Sequence, residues 1–288
     1  MKLLDGKKVR EEVLEDVKGK IAKLDRKLEL VVIQVGEDPA SSVYVKQKEK
    51  MAHSLGCNFR HINLSDSISE ARLINVIEAL NYNEEVDGIL VQLPIPKHMN
   101  VKRVIDSIDP DKDVDGLNSE NVYRLDNNVD GLVPCTALGV VEMLKYYNIE
   151  IRDKNVVVVG RSDLVGKPVR KLLANEGGNV VVCHSKTENP SQYTSKADIL
   201  VVAVGKKGLI TEDMVKEGAV VVDVGINRVD GKLYGDVDFE KVAPKCSYIT
   251  PVPGGVGPMT IAMLGENLLK AYNLKNAKKK AKAKQLSK

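Results

Sequence analysis

Tyr44 and Lys48 stand four positions apart, and together they could contact a ligand and transfer a proton. Asp38 is a good N-cap and Pro39 a good first helical residue, so a helix should begin here, and Gly56 can end it. Residues four apart share one helix face, which lets an aromatic ring and an amine meet the same ligand. The pattern also fits a solvated lysine-rich helix with an incidental tyrosine, and this helix taken alone favours that second interpretation.

Gln92 and Asp115 are two more polar side chains that could contact a ligand. Gln92 lies near the end of the apolar run Gly88 to Leu93, although a lone amide there can merely cap a loop. Asp115 lies in an acid-dense turn, residues 109–117, and such turns are usually solvated or cap a helix. Neither residue identifies a site by itself.

The segment 156–168 is predicted to be a buried strand, a glycine turn and a helix entry, the context in which a phosphate meets a helix N-terminus. Five residues separate Gly160 from Gly166, so the spacing differs from the dinucleotide fingerprint G-x-G-x-x-G. An ordinary strand-to-helix turn is therefore about as good an interpretation of this motif alone.

The residues after the next predicted strand favour one dinucleotide over another. An NAD site usually has an acidic residue there, which holds the ribose 2′-hydroxyl. This chain instead has His184, Ser185 and Lys186. Together with Arg161 they offer hydrogen-bond donors and positive charge where a 2′-phosphate would lie, which favours NADP over NAD. A polar loop that happens to be basic is the alternative.

Further glycine turns follow in the second half of the chain. Gly225 and Ile226 lie in a turn after a predicted strand. Residues 253–258 hold three glycines and two prolines, which build a rigid loop whose backbone a ligand can approach closely. A purely structural turn would rarely need so many of both.

These residues need a scaffold, and the sequence predicts alternating helices and strands. A helix is expected at about 5–24, and strands are expected at 30–35, 88–93, 156–159, 180–183, 199–204, 220–224 and 248–249. Such alternation is typical of parallel sheets covered by helices. We therefore expect an α/β fold of two α/β domains, the second Rossmann-like, with a cleft between them and a boundary in the turn-rich stretch 126–136.

Composition and spacing exclude several classes of protein. Of 288 residues, 43% are hydrophobic, which is enough to fill one or two domain cores. The apolar runs are too short to span a membrane and no signal peptide is evident, so we expect an intracellular protein. The cysteines and histidines lack ligand spacing, so no metal site is expected, and the cysteines should be small buried hydrophobes.

The formal net charge of +3 hides a basic C-terminus. Residues 275–288 hold seven lysines and no acidic residue. Such a tail is compatible with nucleic-acid binding, but it has no aromatic residue on which bases could stack. A solvated, frayed helix end is therefore the favoured interpretation.

In order and wording, these motifs resemble the methylenetetrahydrofolate dehydrogenase/cyclohydrolase family over nearly the whole chain, from about Leu4 to Leu269. The resemblance is carried by YxxxKxK (44–50), VDGILVQLP (86–94), KDVDG (112–116), GRS (160–162), HSKT (184–187), DVGIN (223–227) and PGGVGPMT (253–260). The last of these motifs is highly specific to the family. Together they make an accidental similarity implausible.

The resemblance implies a bifunctional enzyme of one-carbon metabolism. It would oxidise 5,10-methylenetetrahydrofolate with NADP and hydrolyse the methenyl product to 10-formyltetrahydrofolate. Lys48 would be the catalytic amine, Tyr44 would stack on the ligand, and Gln92 would form a hydrogen bond near Lys48. NADP would be held by Gly160, Arg161, Ser162, Ser185, Gly225 and Ile226.

The resemblance also implies where folate binds and how the chain is organised. Asp115 would bind the polar edge of the pterin, and Gly255 with Pro258 would shape a loop against folate and nicotinamide. The folate-binding catalytic domain would be 1–134 and the NADP-binding domain 135–258. Residues 259–288 would return as a helix to the first domain, followed by the lysine tail. The implied partners are tetrahydrofolate derivatives and a second copy of the chain, in a cytoplasmic homodimer that serves purine biosynthesis.

The two implied reactions make different chemical demands. Loss of hydride from the methylene bridge requires close stacking of nicotinamide on folate and little acid–base help. Hydrolysis of the methenyl cation instead requires activation of water and proton transfer. A partly desolvated Lys48, whose pKa can fall toward neutrality, fits that second demand.

Some features depart from the family pattern. Tyr123 stands where glycine is common, Ala137 stands where proline is usual, and the lysine tail has no counterpart. The ring of Tyr123 could narrow the folate site or require a local change of the backbone. Three rival functions stay open. One is a dehydrogenase without cyclohydrolase activity, although the presence of Lys48 and Gln92 argues against it. The others are a dehydrogenase of another pterin carrier and a nucleic-acid-binding protein that uses the tail.

Overall fold

The computed structural model describes residues 1–286 and consists of sheets covered by helices. Its strands are β1 (Lys2–Leu3), β2 (Glu29–Val35), β3 (Asn58–Leu64), β4 (Gly88–Val91), β5 (Asn155–Val159), β6 (Asn179–Cys183), β7 (Ile199–Val202), β8 (Val220–Asp223), β9 (Asn227–Val229), β10 (Lys232–Tyr234) and β11 (Tyr248–Ile249). Its α-helices are α1 (Gly6–Ile21), α2 (Pro39–Ser54), α3 (Glu70–Tyr82), α4 (Val101–Asp106), α5 (Ser119–Asp126), α6 (Cys135–Tyr146), α7 (Gly166–Asn175), α8 (Ser191–Thr194), α9 (Phe239–Val242) and α10 (Val256–Leu286). Short 3-10 helices lie at Glu212–Met214 and Ala243–Lys245.

The chain divides into two compact units. The three-stranded unit contains Val13–Cys135 and the chain from Ile261 onward, and the six-stranded unit contains Met1–Glu12 and Thr136–Thr260. The first residues of the chain therefore group with the second half of the sequence, because β1 pairs with β11. The α/β fold expected from the alternating pattern is confirmed, while the division into functional domains at residues 134 and 258 stays a prediction.

The three-stranded unit is built on the parallel sheet β3-β2-β4. The central strand β2 is almost wholly buried, which its run of apolar residues requires. Behind the sheet, α3 and α4 supply a core that includes Leu73, Ile77 and Val104. The strand β3 was not predicted, because it is an edge strand whose apolar residues, Phe59, Ile62 and Leu64, neither alternate strictly with polar ones nor form a continuous run.

The six-stranded unit has the strand order β1-β11-β8-β7-β5-β6, and every pair in it is parallel. The next strand in the chain after β5 lies on one side of it, and β7 lies on the other. The order in which successive strands are added therefore reverses between β5 and β7. Ligands bind at such switch points in open α/β sheets. A separate antiparallel hairpin, β9 with β10, was not predicted.

The lysine-rich tail continues α10 as far as Leu286, and Ser287 and Lys288 lie outside the described residues. Lys279 forms an ion pair with Glu84 at 2.6 Å, and Lys278 pairs with Asp111. At least the first part of the tail is thus held against the three-stranded unit, which a purely frayed end would not be.

Three further expectations bear on the class of protein. All four cysteines are buried and free, so the interpretation that they are small core residues is confirmed. Among residues 1–286, no helix is both long and apolar enough to cross a membrane. Nor do three or more histidine, cysteine or acidic side chains converge within that range as a metal site requires.

Candidate functional site

Tyr44 and Lys48 lie on α2, as their spacing predicts. Asp38 accepts a hydrogen bond from the Ser41 N–H at 2.7 Å, and Pro39 takes the first turn, so the predicted helix start is confirmed. The Tyr44 side chain is 43% exposed, and its hydroxyl makes no hydrogen bond within the described chain. The ring is thus available to a ligand.

The Lys48 amine is held in place by Gln92. Its Nζ donates to Gln92 Oε1 at 2.7 Å. The orientation of that amide is itself fixed, because Gln92 Nε2 donates to the Leu93 carbonyl at 2.8 Å. The backbone N–H of Gln92 also donates to Ile33 of β2 at 2.8 Å, so the buried amide sits at the carboxyl edge of the sheet.

The surroundings of Lys48 favour its neutral form. The side chain is half-buried, and burial lowers its pKa below the usual value. The nearby charge of Asp115, and then that of Cys135, act in the opposite direction and raise the pKa of Lys48 without cancelling the effect of burial. The Cys135 thiol is itself buried, which raises its pKa well above the usual range and keeps it protonated. Lys48 is therefore the group in this cluster that is suited to accept a proton.

Asp115 projects from a tight turn. The next residue, Gly116, has a φ of +73°, and a Cβ there would lie 2.4 Å from the carbonyl carbon of Val133. Only glycine fits such a backbone position. The Asp115 carboxylate is half-buried and makes no hydrogen bond among residues 1–286, so its oxygens can accept bonds from a ligand.

The neighbouring acid-dense residues support this turn. Lys112 Nζ donates to three backbone carbonyls at the end of α3, at 2.7–3.1 Å. Asp113 is buried and accepts from the Asn118 N–H at 2.7 Å and from Asn121 Nδ2 at 3.1 Å. Burial raises the pKa of Asp113 to about 7. These two motif residues therefore act on the structure of the turn.

The two departures from the family pattern are accommodated without strain. Tyr123 lies on α5 with its side chain 59% exposed, and it has no positive φ. Tyr123 therefore needs no strained backbone, and a narrowing of the folate site by its ring stays a prediction. Ala137 is fully buried in the first turn of α6.

The Gly160 turn lies at the switch point of the larger sheet. Gly160 has a φ of +124°, and a Cβ there would lie 2.2 Å from the carbonyl oxygen of Ala203, which follows β7. A Cβ on Gly166 would lie 2.4 Å from the carbonyl oxygen of Gly160. Both glycines are buried and are required for this close packing beside the N-terminus of α7.

Ser162 serves α7 in this structure. Its Oγ accepts from the Val165 N–H at 3.3 Å and the Gly166 N–H at 3.4 Å. The residue that precedes the helix, Val165, has no capping side chain, so the serine satisfies N–H groups that would otherwise be free. The exposed hydroxyl of Ser162 stands at the positive end of the helix.

Arg161 and Ser185 emerge from neighbouring parallel strands. Val159 at the end of β5 pairs in register with Cys183 at the end of β6, and the Gly160 N–H donates to the Cys183 carbonyl at 2.9 Å. Both side chains are exposed, and Arg161 has no ion pair or hydrogen bond in the described part of the chain. The sheet therefore brings the two loops side by side. No acidic residue lies between the end of β5 and Arg161 or between the end of β6 and Ser185.

Two buried carboxylates shape the loop that carries Gly225 and Ile226. Asp236 accepts from the three successive N–H groups of residues 204–206 at 2.7–2.9 Å. Asp223 accepts from the Gly225 N–H at 3.0 Å, and burial raises its pKa to about 6. A Cβ on Gly225 would lie 2.1 Å from Asp236 Cγ, so this glycine makes room for the carboxylate. Ile226 is 49% exposed beside it.

The glycine- and proline-rich loop 253–258 is packed from behind. Gly255 is buried, and a Cβ on it would lie 2.7 Å from the Pro251 carbonyl oxygen. The Gly254 carbonyl accepts from the Gly6 N–H at 2.9 Å. Pro258 is half-buried in the first turn of α10, where a missing N–H does no harm.

Comparison with known proteins identifies the family. Residues 4–115 match the catalytic domain of the tetrahydrofolate dehydrogenase/cyclohydrolase family, and residues 134–276 match its NAD(P)-binding domain. The chain belongs to the tetrahydrofolate dehydrogenase/cyclohydrolase family. Lys48, Gln92 and Asp115 fall within the match to the family's catalytic domain, and the Gly160 turn falls within the match to its NAD(P)-binding domain.

Individual members of the family are similar over nearly their whole length. A protein of Campylobacter hominis named Bifunctional protein FolD is 52% identical over 275 residues, covering 94% of this chain and 97% of the relative. The crystal structure of the bifunctional enzyme FolD from Campylobacter jejuni is 47% identical with a TM-score of 0.92, covering 95% of this chain and 99% of that one. The FolD of Trypanosoma brucei, complexed with NADP cofactor and inhibitor, is 36% identical with a TM-score of 0.89, covering 94% and 97%.

Sequence reasoning missed several residues that shape the two sites. Cys135 and Asn267 border the Asp115 turn, and neither lies in a motif with a spacing of its own. Asp223 and Asp236 are thirteen positions apart and meet only in the folded loop. The one available signal was glycine, since Gly225 and Gly235 each lie where a side chain would collide with the other loop's carboxylate.

Proposed function

We propose that this chain oxidises 5,10-methylenetetrahydrofolate to 5,10-methenyltetrahydrofolate with NADP and hydrolyses that product to 10-formyltetrahydrofolate, in one-carbon metabolism. The observation that carries the proposal is the half-buried Lys48 amine, held by Gln92 in the part of the chain that matches the family's catalytic domain. An amine whose pKa is lowered is the proton acceptor that hydrolysis needs near neutral pH.

In this proposal, residues 1–134 supply the folate-binding catalytic domain. The Asp115 carboxylate, which has no internal partner, accepts hydrogen bonds from the donor-rich edge of the pterin. The exposed ring of Tyr44 stacks on the ligand one helical turn before Lys48. These contacts hold the methylene bridge in place, which is the main requirement of hydride transfer.

Residues 135–258 bind NADP in this proposal. The glycine turn at Gly160 and the N-terminus of α7 fit a pyrophosphate, with the exposed Ser162 beside them. Arg161 and Ser185 fit the 2′-phosphate, because both are exposed at the ends of paired strands where no acid occurs. Two loops are proposed to contact nicotinamide and folate. They carry Gly225 and Ile226, and Gly255 and Pro258. NADP supplies the hydride acceptor when bound.

Hydrolysis depends on the residues around Lys48. The oxygen of a water molecule forms a bond to the methenyl carbon, and the neutral amine of Lys48 takes the proton that water loses. The bond from that carbon to N5 then breaks, N5 gains a proton from the amine, and the hydroxyl proton leaves to solvent as the formyl group forms. Gln92 orients the amine throughout, and the cationic substrate lowers the pKa of Lys48 further.

We also propose a setting for the enzyme on the strength of family resemblance. The enzyme would act in the cytoplasm as a homodimer, and its 10-formyltetrahydrofolate would serve purine biosynthesis. The tail contributes ion pairs to the three-stranded unit through Lys278 and Lys279, which supports a structural role over nucleic-acid binding.

One assay tests the proposal. Purified enzyme is given 5,10-methylenetetrahydrofolate and NADP, and the absorbance of NADPH and that of the methenyl product are followed separately. We expect NADPH to form and the methenyl signal to decay faster than its uncatalysed rate. Formation of NADPH with uncatalysed decay would reduce the function to a dehydrogenase, and no NADPH at all would overturn the proposal.

A further inference from the structure

Asn267 reaches from α10 to the turn that carries Asp115. The asparagine is 1% exposed. Its Nδ2 donates to the Val114 carbonyl at 2.9 Å and to the Val133 carbonyl at 2.8 Å. A single amide group therefore bridges the residue before Asp115 to the segment 133–135, against which the turn rests.

Few other hydrogen bonds join the turn to the segment 133–135. Asp115 itself makes one backbone bond to that segment, from the Cys135 N–H to the Asp115 carbonyl, and it is long at 3.4 Å. The Cys135 thiol also donates to the Val114 carbonyl at 3.3 Å, but a thiol is a weak donor. The two bonds from Asn267 are shorter, and they use both protons of the amide.

Helix α10 also packs near the turn through its next residue, Leu268. Leu268 and Val114 lie so close to Gly88 that a Cβ on the glycine would be 2.8 Å from Leu268 Cδ1 and 2.6 Å from Val114 Cγ1. Val114 is thereby held both by its packing on Gly88, where Leu268 also packs, and by the bond from the Asn267 amide to its carbonyl. A displacement of Val114 must move the adjacent Asp115.

We propose that Asn267 is a positioning residue for folate, which holds the Asp115 turn against Val133 so that the carboxylate meets the pterin. This inference rests on the proposed function, because it assigns Asp115 to folate. It predicts that Asn267 acts on folate affinity only through Asp115, whereas a merely structural residue would act independently of it.

A double-mutant cycle on folate binding tests the inference. Tetrahydrofolate affinity is measured by calorimetry, without NADP, for the unmodified enzyme, Asn267→Leu, Asp115→Ala and the double variant. Leucine keeps the size of asparagine but cannot donate, so we expect about a tenfold weaker affinity in the unmodified background. In the Asp115→Ala background, Asn267→Leu should change the affinity by less than about twofold, because the contact it positions is already gone.

Controls distinguish an effect on the Asp115 turn from a general loss of stability. Tyr272→Phe on the same helix removes a hydrogen bond to Asp25 that lies outside the turn, and it should leave folate affinity unchanged. If Asn267→Leu does not fold, Asn267→Ser, which keeps one donor, replaces it in the cycle with a smaller expected loss. In steady-state assays the dehydrogenase KM for folate should rise while kcat changes little.

The outcomes distinguish this inference from the proposed function. An equal loss of affinity from Asn267→Leu in both backgrounds, or no loss in either, would overturn the positioning role. If the unmodified enzyme neither binds tetrahydrofolate nor forms NADPH from the methylene substrate, the proposed function itself is wrong.

Discussion

Lys48 is a cation of the proposed folate site and Arg161 is a cation of the proposed NADP site, and their surroundings are opposite. Lys48 is half-buried, donates to Gln92, and has its pKa lowered by burial. Arg161 is exposed and has no partner among residues 1–286. An amine must lose water and be oriented before it can accept a proton, whereas a guanidinium that recognises a phosphate can stay hydrated until the phosphate arrives.

The backbone around the two cations shows the same division. Lys48 depends on side-chain contacts between α2 and the residue after β4, with an amide fixed on both sides. The Arg161 loop depends on Gly160 and Gly166, whose missing Cβ atoms allow strand ends and a helix N-terminus to meet. The proton chemistry therefore depends on side-chain groups and the proposed dinucleotide contacts depend on backbone. Substitutions in the two regions should fail in different ways.

The largest effect is expected from Gly160→Ala. The new Cβ would collide with the Ala203 carbonyl at a φ that alanine rarely adopts, so the turn must shift. We expect NADP affinity, measured by fluorescence titration, to fall by about a hundredfold or more while tetrahydrofolate affinity changes little. Gly218→Ala is the matched control, because Gly218 also has a positive φ but faces open space. A loss of NADP binding in that control too would trace the effect to backbone strain alone.

Asp115→Ala should have the next largest effect, in the other region. Removal of the acceptor should weaken tetrahydrofolate binding by about tenfold to a hundredfold, because a charge-assisted contact to the pterin is lost. NADP binding should be nearly unchanged when both are measured by calorimetry. Asp130→Ala removes an exposed carboxylate outside the turn and should change neither affinity. Unchanged folate affinity in Asp115→Ala would remove this residue from the site.

Arg161→Ala should reduce the preference for NADP over NAD. The ratio of kcat/KM for NADP to that for NAD should fall by about tenfold, because the guanidinium is expected to contact only the 2′-phosphate. Arg170, an exposed arginine on α7, is the control, and Arg170→Ala should leave the ratio unchanged. Comparable kcat/KM values for the two cofactors in the unmodified enzyme would contradict the assignment.

Ser185→Ala is expected to have the smallest effect. A neutral hydroxyl contributes less than a guanidinium to a phosphate contact, so the same ratio should fall by about threefold. Combined with Arg161→Ala, it should add little, since both act on one phosphate group. A larger loss than that of Arg161→Ala would mean that the serine, and not the arginine, carries the cofactor preference.

The sequence predicts the elements of both regions better than it predicts their internal contacts. The helix of Lys48 follows from Asp38, Pro39 and Gly56, because capping is local. The edge strand β3 has only three scattered apolar residues, which is a weaker signal than a buried apolar run, and it was not predicted. The amide of Gln92 was found near its strand end, but only the paired strands show that its oxygen faces Lys48.

Contacts between distant parts of the chain could not be predicted where one partner lies outside the family motifs. Asn267 meets Val114 across more than a hundred and fifty residues, and no spacing rule relates them. The contact of Asp223 with Asp236 was hidden for a similar reason, since nothing in the sequence shows that the end of β8 meets the segment around Asp236. Their signature is a glycine opposite each carboxylate, which is recognisable only once the partner is known.

The central claim is that Lys48 is a desolvated base for hydrolysis and not merely a binding residue. Lys48→Met keeps the length and apolar stem of the side chain but removes the group that titrates. The decisive measurement is methenyl hydrolysis by this variant, corrected for the uncatalysed rate, beside NADPH formation by the same preparation. We expect hydrolysis to fall by about a hundredfold or more and NADPH formation to fall less, provided that folate still binds. Hydrolysis at the unmodified rate would remove Lys48 from the mechanism, and an equal loss of both activities would make it a positioning residue instead.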